Sequence, residues 1–400
     1  MRDMDARSLS GVRIAVSGLL ALAIAMGVGR FAFTPLLPMM VQDAGLTVAS
    51  GGWLASANYL GYLAGAVAAM FAHVRAGTAV RLGLLVIAMA TAAMGLEHQF
   101  AAWIALRFLA GVANAWAGIY AFAWSLERLA PLGRPALNGV VFAGVGAGIA
   151  AVGVLCVLLM HLDASSREVW VLLGIVSLAI TVATWRTFTP QTPIAAEPSS
   201  EGKPMRWSAD AVRLTFFFAA SGFGYIVPAT FLPAMARQVV EDPAVFGWSW
   251  PLFGTAAMVS TLLAARFAGA VDNRRVLTGA QVIMATGVAL PAVLHGIVPI
   301  MLAALAVGGT FMVITMVCMQ EARVIGKAGA TALMAALTAA FAFGQIVGPL
   351  SVSWLIGPDG AFSAPLYLAS AVLAAGAVAL AWPPRAADRH HDPLQEGKAQ

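Results

Sequence analysis

Residues 27–40 read GVGRFAFTPLLPMM, and 195 positions further on residues 222–235 read GFGYIVPATFLPAM. Gly27, Gly29 and Pro38 fall on Gly222, Gly224 and Pro233. At the same offset Gly52-Trp53 falls on Gly247-Trp248. Glycine is frequent here, with 40 in the chain, so the tryptophan and proline pairs carry most of the weight. Each copy opens a series of six long apolar runs, which implies a duplicated unit. The copies differ at one place that matters chemically: Arg30 in the first is Tyr225 in the second.

Of the 400 residues 60% are hydrophobic and only 10% charged. Soluble domains carry about a quarter charged residues. The excess is spread in runs of roughly 20 residues, the length that crosses a bilayer as a helix. The ten-residue alternation of a membrane β-barrel is missing. The expected class is therefore an all-α integral membrane protein. Its spans are expected at 13–41, 50–72, 78–95, 101–127, 134–160 and 168–187, then at 209–237, 246–271, 274–295, 297–324, 328–356 and 361–383. This gives 12 transmembrane helices as two pseudo-symmetric six-helix bundles, 13–187 and 209–383. A short N-terminus (1–12), a Pro/Ser-rich linker (188–208, containing TPQTPIAAEPSSEGKPM) and a polar tail (384–400) complete the chain. The opening MRDMDARSLSGVRIAVSGLLALAIA also has the outline of a signal peptide, but its apolar run continues past the AIA.

Charge placement tests this count. With both termini cytoplasmic, nineteen of the 23 basic residues fall on cytoplasmic segments, whereas the opposite side holds only Arg167 and Arg237. That imbalance is the positive-inside pattern of an inner-membrane protein, so the net charge of +5 reflects orientation and no nucleic-acid partner. Cys156 and Cys318 lie far apart inside apolar runs and suggest neither a disulfide framework nor a metal site.

Two parallel six-helix halves are the organisation of the major facilitator superfamily. GVGRFAFTPLLPMM, together with GGTFMVITMVCMQEAR (308–323) and FGQIVGP (343–349), resembles the YbfB/YjiJ group of that superfamily over nearly the whole chain. The superfamily's loop motif Gly-x3-Asp-Arg-x-Gly-Arg-Arg is poorly kept in FAHVRAGTAVR (71–81), which lacks the acid. GAVDNRR (269–275) keeps the acid and the basic pair. RFLAGVANA resembles the fourth helix's Arg-x3-Gly through Arg107 and Gly111. NGVVFAGVGAGIAAVG (138–153) has the small-residue spacing of the antiporter motif without its Gly-Pro, which leaves antiport unsupported.

None of the 18 acids lies deep in a span, so Arg30 and Arg107 have no intramembrane carboxylate. A guanidinium inserted without a partner costs roughly 2.5–3.5 kcal/mol or more, unless water, carbonyls or an arriving anion solvates it. The resemblance implies that the first, fourth, seventh and tenth helices line a central cavity. Arg30 shares a stripe with Leu22, Met26, Phe33 and Leu37. Arg107 shares one with Gly111, Asn114 and Gly118. Two guanidiniums so placed would form an anion receptor, with Asn114, Asn58, Tyr62, Tyr225, Thr315 and Gln345 as further substrate contacts. The competing structural readings are that Arg30 caps carbonyls freed by Pro35 and Pro38, and that the polar residues bind helix to helix.

Glu127 and Glu321 close the fourth and tenth helices. Latches are expected from Glu127 to Arg75 or Arg81, and from Glu321 to Arg274 or Arg275 beside Asp272, breaking when the inner gate opens. Proton carriage by Glu321 is the alternative. The function these features imply is a secondary transporter working by alternating access on a small anionic organic solute. A carboxylate solute could bring any coupled proton itself. Drug or metabolite efflux is the alternative within transport. Against an enzyme, the six histidines fall in loops, in the tail or, for His295, at the very end of a span, and no zinc, P-loop or nucleophile-elbow motif occurs. A sensor would need a signalling domain, for which linker and tails are too short. No cofactor is implied. The expected partners are solute and bilayer, for a monomer.

Overall fold

The structure is a computed structural model that describes residues 2–72, 74–132, 135–188, 207–266, 271–326, 329–356 and 360–382. Most of the linker, the C-terminal tail, and the loop positions 73, 133–134, 267–270, 327–328 and 357–359 lie outside the described residues. Twelve long helices make up the chain among them. In the first half these are α1 (Gly11–Asp43, in three pieces), α2 (Val48–Phe71), α3 (Ala76–Leu96), α4 (Phe100–Leu129), α5 (Pro135–His161) and α6 (Ser166–Thr184). The second half has α7 (Ala209–Val239), α8 (Ser249–Arg266), α9 (Asn273–Val293), α10 (Ile297–Gly326), α11 (Ala330–Leu355) and α12 (Ser363–Ala381). Eleven are long and apolar enough to cross a membrane. The twelfth, α8, is the shortest at 18 residues and is bounded by polar Ser249 and Arg266.

Local sequence sets the helix starts. Thr47 and Ser50 form a reciprocal capping box on α2, as do Ser165 and Glu168 on α6. The Ser208 hydroxyl accepts from the Ala211 N–H at the start of α7, and the Asp272 carboxylate accepts from the Arg275 N–H at the start of α9. The first helix begins earlier than expected, with helical backbone from Arg2. Outward faces carry exposed apolar side chains such as Leu158, Val182, Ile283 and Val378, as a lipid-facing surface requires. The repeat-related Trp53 and Trp248 are 47% and 50% exposed, in keeping with interfacial anchoring.

The halves repeat each other's packing. In the first, α1 packs on α5 and α2 and α3 on α4; in the second, α7 packs on α11 and α8 and α9 on α10. Between halves, α2 packs on α11 and α5 on α8, two contacts interchanged by the pseudo-two-fold, and α1 meets α7 at the axis. Small residues permit these approaches. A Cβ on Gly52 would meet the Pro349 carbonyl at 2.6 Å, and one on Gly254 would press into the backbone of Ala150.

The prolines act differently in the two copies. α7 runs unbroken through Pro228 and Pro233. α1 instead slips into a π-helical stretch at Ala23–Val28 and open turns at 29–32, then resumes as Phe33–Asp43. Across the slip, Gly29 N–H bonds Ile24 O at 2.8 Å and Phe31 N–H bonds Met26 O at 3.0 Å. Thr34 N–H turns to Phe31 O at 3.1 Å. The Arg30 carbonyl thereby loses its ordinary helical donor. Arg30 therefore sits at a break in a helix, a frequent setting for functional residues.

Candidate functional site

A cavity of about 380 Å3 lies between the halves, lined from α1, α2, α4, α5, α7, α10 and α11. Arg30 is the one charged side chain among its described lining residues. It is 3% exposed, and its guanidinium carbon lies 4.7 Å from the ring centre of Tyr62, 4.9 Å from Tyr59 and 5.4 Å from Phe31. Each such contact is worth about 0.5–2 kcal/mol, enough to offset much of the burial cost. Hydrogen bonding is a separate requirement, and it is unmet: Nε and Nη2 are buried without a partner among the described residues. These two nitrogens form one edge of the guanidinium, the edge whose parallel N–H groups match the two oxygens of a carboxylate.

Arg107, expected as the second half of the receptor, lies elsewhere. It is 2% exposed and outside the cavity lining. Its Nη2 donates to the Arg30 carbonyl at 3.1 Å and its Nε to the Leu54 carbonyl at 3.5 Å, while Phe33 lies 5.0 Å beneath. Asn58 joins it, with Nδ2 donating to Gly29 O at 3.1 Å and to Arg107 O at 2.9 Å. Arg107 and Asn58 thus cap the Arg30 and Gly29 carbonyls at the α1 break, which are not the Phe31 and Thr34 carbonyls that Pro35 and Pro38 leave without their ordinary helical donor. The slip also turns Phe33 away from the stripe, leaving Leu22, Met26 and Arg30 on the cavity. From the α4 stripe only Gly118 lines it. Gly111 packs against the α2 backbone at Asn58 and Tyr62. Asn114 is fully buried with both amide atoms unpartnered.

Opposite Arg30 the second half supplies rings. Tyr225 stacks on Phe311 (5.3 Å, 1°) and on Phe341 (5.5 Å, 14°), and Gln345 Nε2 donates to its hydroxyl. Tyr225, Gln345, Tyr62 and Thr315 all line the cavity, with the Thr315 hydroxyl donating to Phe311 O at 2.8 Å. Phe122 and Phe142, 4.3 Å apart, add rings from α4 and α5. Tyr62 and Tyr225 were expected from sequence, whereas Phe311, Phe341, Phe122, Phe142 and Tyr59 were not. The spacing Phe341/Gln345, one helical turn apart, was the available signal.

The cavity is closed on the side away from the termini. There Thr34 Oγ1 donates to Ala229 O (2.8 Å), Ser56 Oγ to Ile346 O (2.9 Å) and Ser353 Oγ to Ala49 O (2.8 Å), and the Tyr59 and Thr230 hydroxyls meet at 3.3 Å. Arg237 donates to the Pro38 carbonyl and, at 2.7 Å, to Gln42. A cleft of about 740 Å3 beside Arg237, Asp43, Asp163 and Glu241 lies beyond this seal. Toward the termini the lining residues Phe142, Gly118, Met319 and Thr338 become partly or fully exposed, so the cavity opens on that side.

On the open side Arg274 pairs with Glu321 (3.1 Å) and with Asp210 (2.8 Å), Asn273 Nδ2 donates to Glu321 (3.2 Å), and Arg213 lies 3.5 Å from Asp210. These residues tie α7, α9 and α10 within one half, and the pair is intact while its side is open. The expected Glu321–Arg274 pair is thus present, and its further partners Asp210 and Asn273 belong to the same half. Asp272 and Arg275 cap α9. In the first half no ion pair joins Glu127 to Arg75 or Arg81 among the described residues. Arg81 instead donates to Trp185 O at 2.9 Å and lies over its ring at 5.2 Å.

Twelve membrane helices in two related bundles, sealed on one side of a central cavity and open on the other, define a secondary transporter of the major facilitator superfamily. The chain belongs to the family described as the uncharacterised MFS-type transporter YbfB, whose profile matches residues 22–381. Its structure is similar to a crystal structure of the nucleoside transporter NupG, with a TM-score of 0.73 over 92% of this chain and 98% of that one. Their sequences are 13% identical, so the likeness is one of fold. No curated protein sequence matches the chain.

Proposed function

We propose that this transporter moves a small organic anion by alternating access, with Arg30 as the group that binds it. The observation that carries the reading is the buried edge of Arg30, two N–H donors without a partner in a cavity whose described lining holds no acid. An arriving carboxylate would neutralise the charge and, once the Tyr59 and Tyr62 rings that cover the guanidinium move aside, satisfy both donors. Arg107 and Asn58 act as positioning residues that hold the backbone from which Arg30 projects. Tyr62, Tyr225, Thr315 and Gln345 would contact the rest of the solute. A proton that travels with the solute would ride on the solute's own carboxyl, because no described acid lines the cavity.

With both termini cytoplasmic in an inner membrane, as charge placement supports, the captured state faces inward. The two bundles, 13–187 and 209–383, would then rock about the α1–α7 axis as a monomer. A cationic drug would meet Arg30 with no acid to bind it, which disfavours that form of efflux. The nucleoside named for the structural neighbour is uncharged and would leave the Arg30 charge unneutralised.

The test is a thermal-shift and binding series on purified protein against carboxylates, uncharged solutes and cations. Carboxylates should stabilise the wild type and leave an Arg30→Met variant unmoved. Stabilisation by cations alone, or equal stabilisation of both proteins by carboxylates, would overturn the reading.

A further inference from the structure

Resting on that anion reading, we propose that the solute is an aromatic monocarboxylate, a flat ring carrying a single carboxylate. Three observations point to it. First, the described lining has one cation, Arg30, which takes one carboxylate, and a second negative charge would find among those residues the neutral Gln345, Tyr225, Tyr62, Thr315 and Thr338. Second, eight of the twenty lining residues are aromatic, and both halves contribute rings. On the second half, Phe311, Tyr225 and Phe341 lie nearly parallel, with interplanar angles of 1° and 14°, so the wall is built of stacked planes. Phe253 and Phe218 stack on the outer rings Phe311 and Phe341, so a solute ring would meet the cavity-facing edges of this row, an edge-to-face contact that a planar aromatic ring makes and a puckered aliphatic ring does not. Third, the volume of about 380 Å3 lies at the small end of ligand pockets, which run roughly 300–1,000 Å3. It suits one or two fused rings. The charge and the stack belong to opposite halves, so a solute with its carboxylate on Arg30 and its ring toward Tyr225 would touch both.

The test compares four probes by calorimetric titration of the purified full chain: phenylacetate, cyclohexylacetate, phenylacetamide and succinate. Phenylacetate and cyclohexylacetate share charge and approximate size and differ in planarity. Phenylacetamide keeps the ring and loses the charge, and succinate has two charges and no ring. Phenylacetate should bind about two- to tenfold more tightly than cyclohexylacetate, the effect of aromatic pairing with the wall. Phenylacetamide and succinate should bind more weakly still. Equal affinities for phenylacetate and cyclohexylacetate would overturn the aromatic class while leaving the anion reading in place. Equal affinities for phenylacetate and phenylacetamide would overturn the anion reading itself. Tighter binding of succinate would overturn the single-charge assignment, and no binding of phenylacetate at millimolar concentration would overturn the proposal outright.

Discussion

Thr34 Oγ1 donates a 2.8 Å hydrogen bond to the carbonyl of Ala229, the residue that the internal repeat makes its own equivalent. Equivalent positions meet where a two-fold axis passes between copies, and Gln42 and Arg237, joined at 2.7 Å, are a second such pair. The Thr34 bond has a definite cause. Pro233 has no N–H to give the carbonyl four residues before it, so Ala229 O is left open within α7 and is completed from the other half.

Replacing Thr34 by Val removes that donor and leaves a buried carbonyl unpaired, at a cost of about 1–3 kcal/mol. The ratio of sealed to unsealed molecules should fall by about 5- to 150-fold. Spin-label distances between the ends of α1 and α7 beyond the seal should then show a longer population. Adding Pro233→Ala restores an intrahelical donor to Ala229 and should recover much of the loss. An unaltered distance distribution in the single variant would mean that the bond is incidental to closure.

Arg30 and Arg107 should respond oppositely to neutralisation. Arg30→Met removes a buried charge with two unpartnered donors, so the solute-free protein should melt at the wild-type temperature or a few degrees above it, with solute binding lost. Arg107→Met uncovers the carbonyls of Arg30 and Leu54, costing about 1–3 kcal/mol, and should melt lower. Shifts of the same sign in both variants would contradict this division of labour.

Gly52 meets Pro349 where α2 crosses α11, and a Cβ there would lie 2.6 Å from the Pro349 carbonyl. Gly52→Val should therefore hold the seal ajar. A reporter cysteine placed at Ser56, buried in the seal, should label faster with a membrane-impermeant thiol reagent in this variant than in the same background with Gly52 intact. Equal labelling rates would show that the crossing relaxes without cost to the seal.

Glu321→Gln removes one of the two acids on Arg274 while Asp210 remains. The expected loss is about 1 kcal/mol, seen as a melting temperature lower by a few degrees, with transport retaining its pH dependence. If the variant lost proton-driven uptake but kept solute exchange, Glu321 would be a proton carrier and not a fastening of the bundle.

Much of the fold was legible in the sequence, because membrane class, helix count and duplication are written in composition, run length and a constant offset. Arg30 stood out for a related reason, as a charge within an apolar run is conspicuous wherever the run folds. Arg107 looked equivalent by that criterion. What separates them is the slip in α1, which frees a carbonyl for Arg107 and alters the phase of the stripe that arithmetic at 3.6 residues per turn assigned to Phe33. The stacked wall was hidden for the opposite reason. Phe311 and Phe341 sit in runs where any apolar residue would satisfy the bilayer, so their turn toward a cavity leaves no trace in composition. Asp210 stayed unrecognised as a partner of Arg274 because the pairing depends on how the start of α7 lies against the start of α9.

The unpartnered edge of Arg30 also bears on the return half of the cycle. Sealing the cavity without solute would enclose an unneutralised guanidinium away from bulk water, whereas sealing it around an anion encloses a neutralised pair. The loaded protein should therefore change sides more readily than the unloaded one. Solute present on the far side should accelerate efflux of labelled solute from the near side, so counterflow would outrun net movement down a gradient.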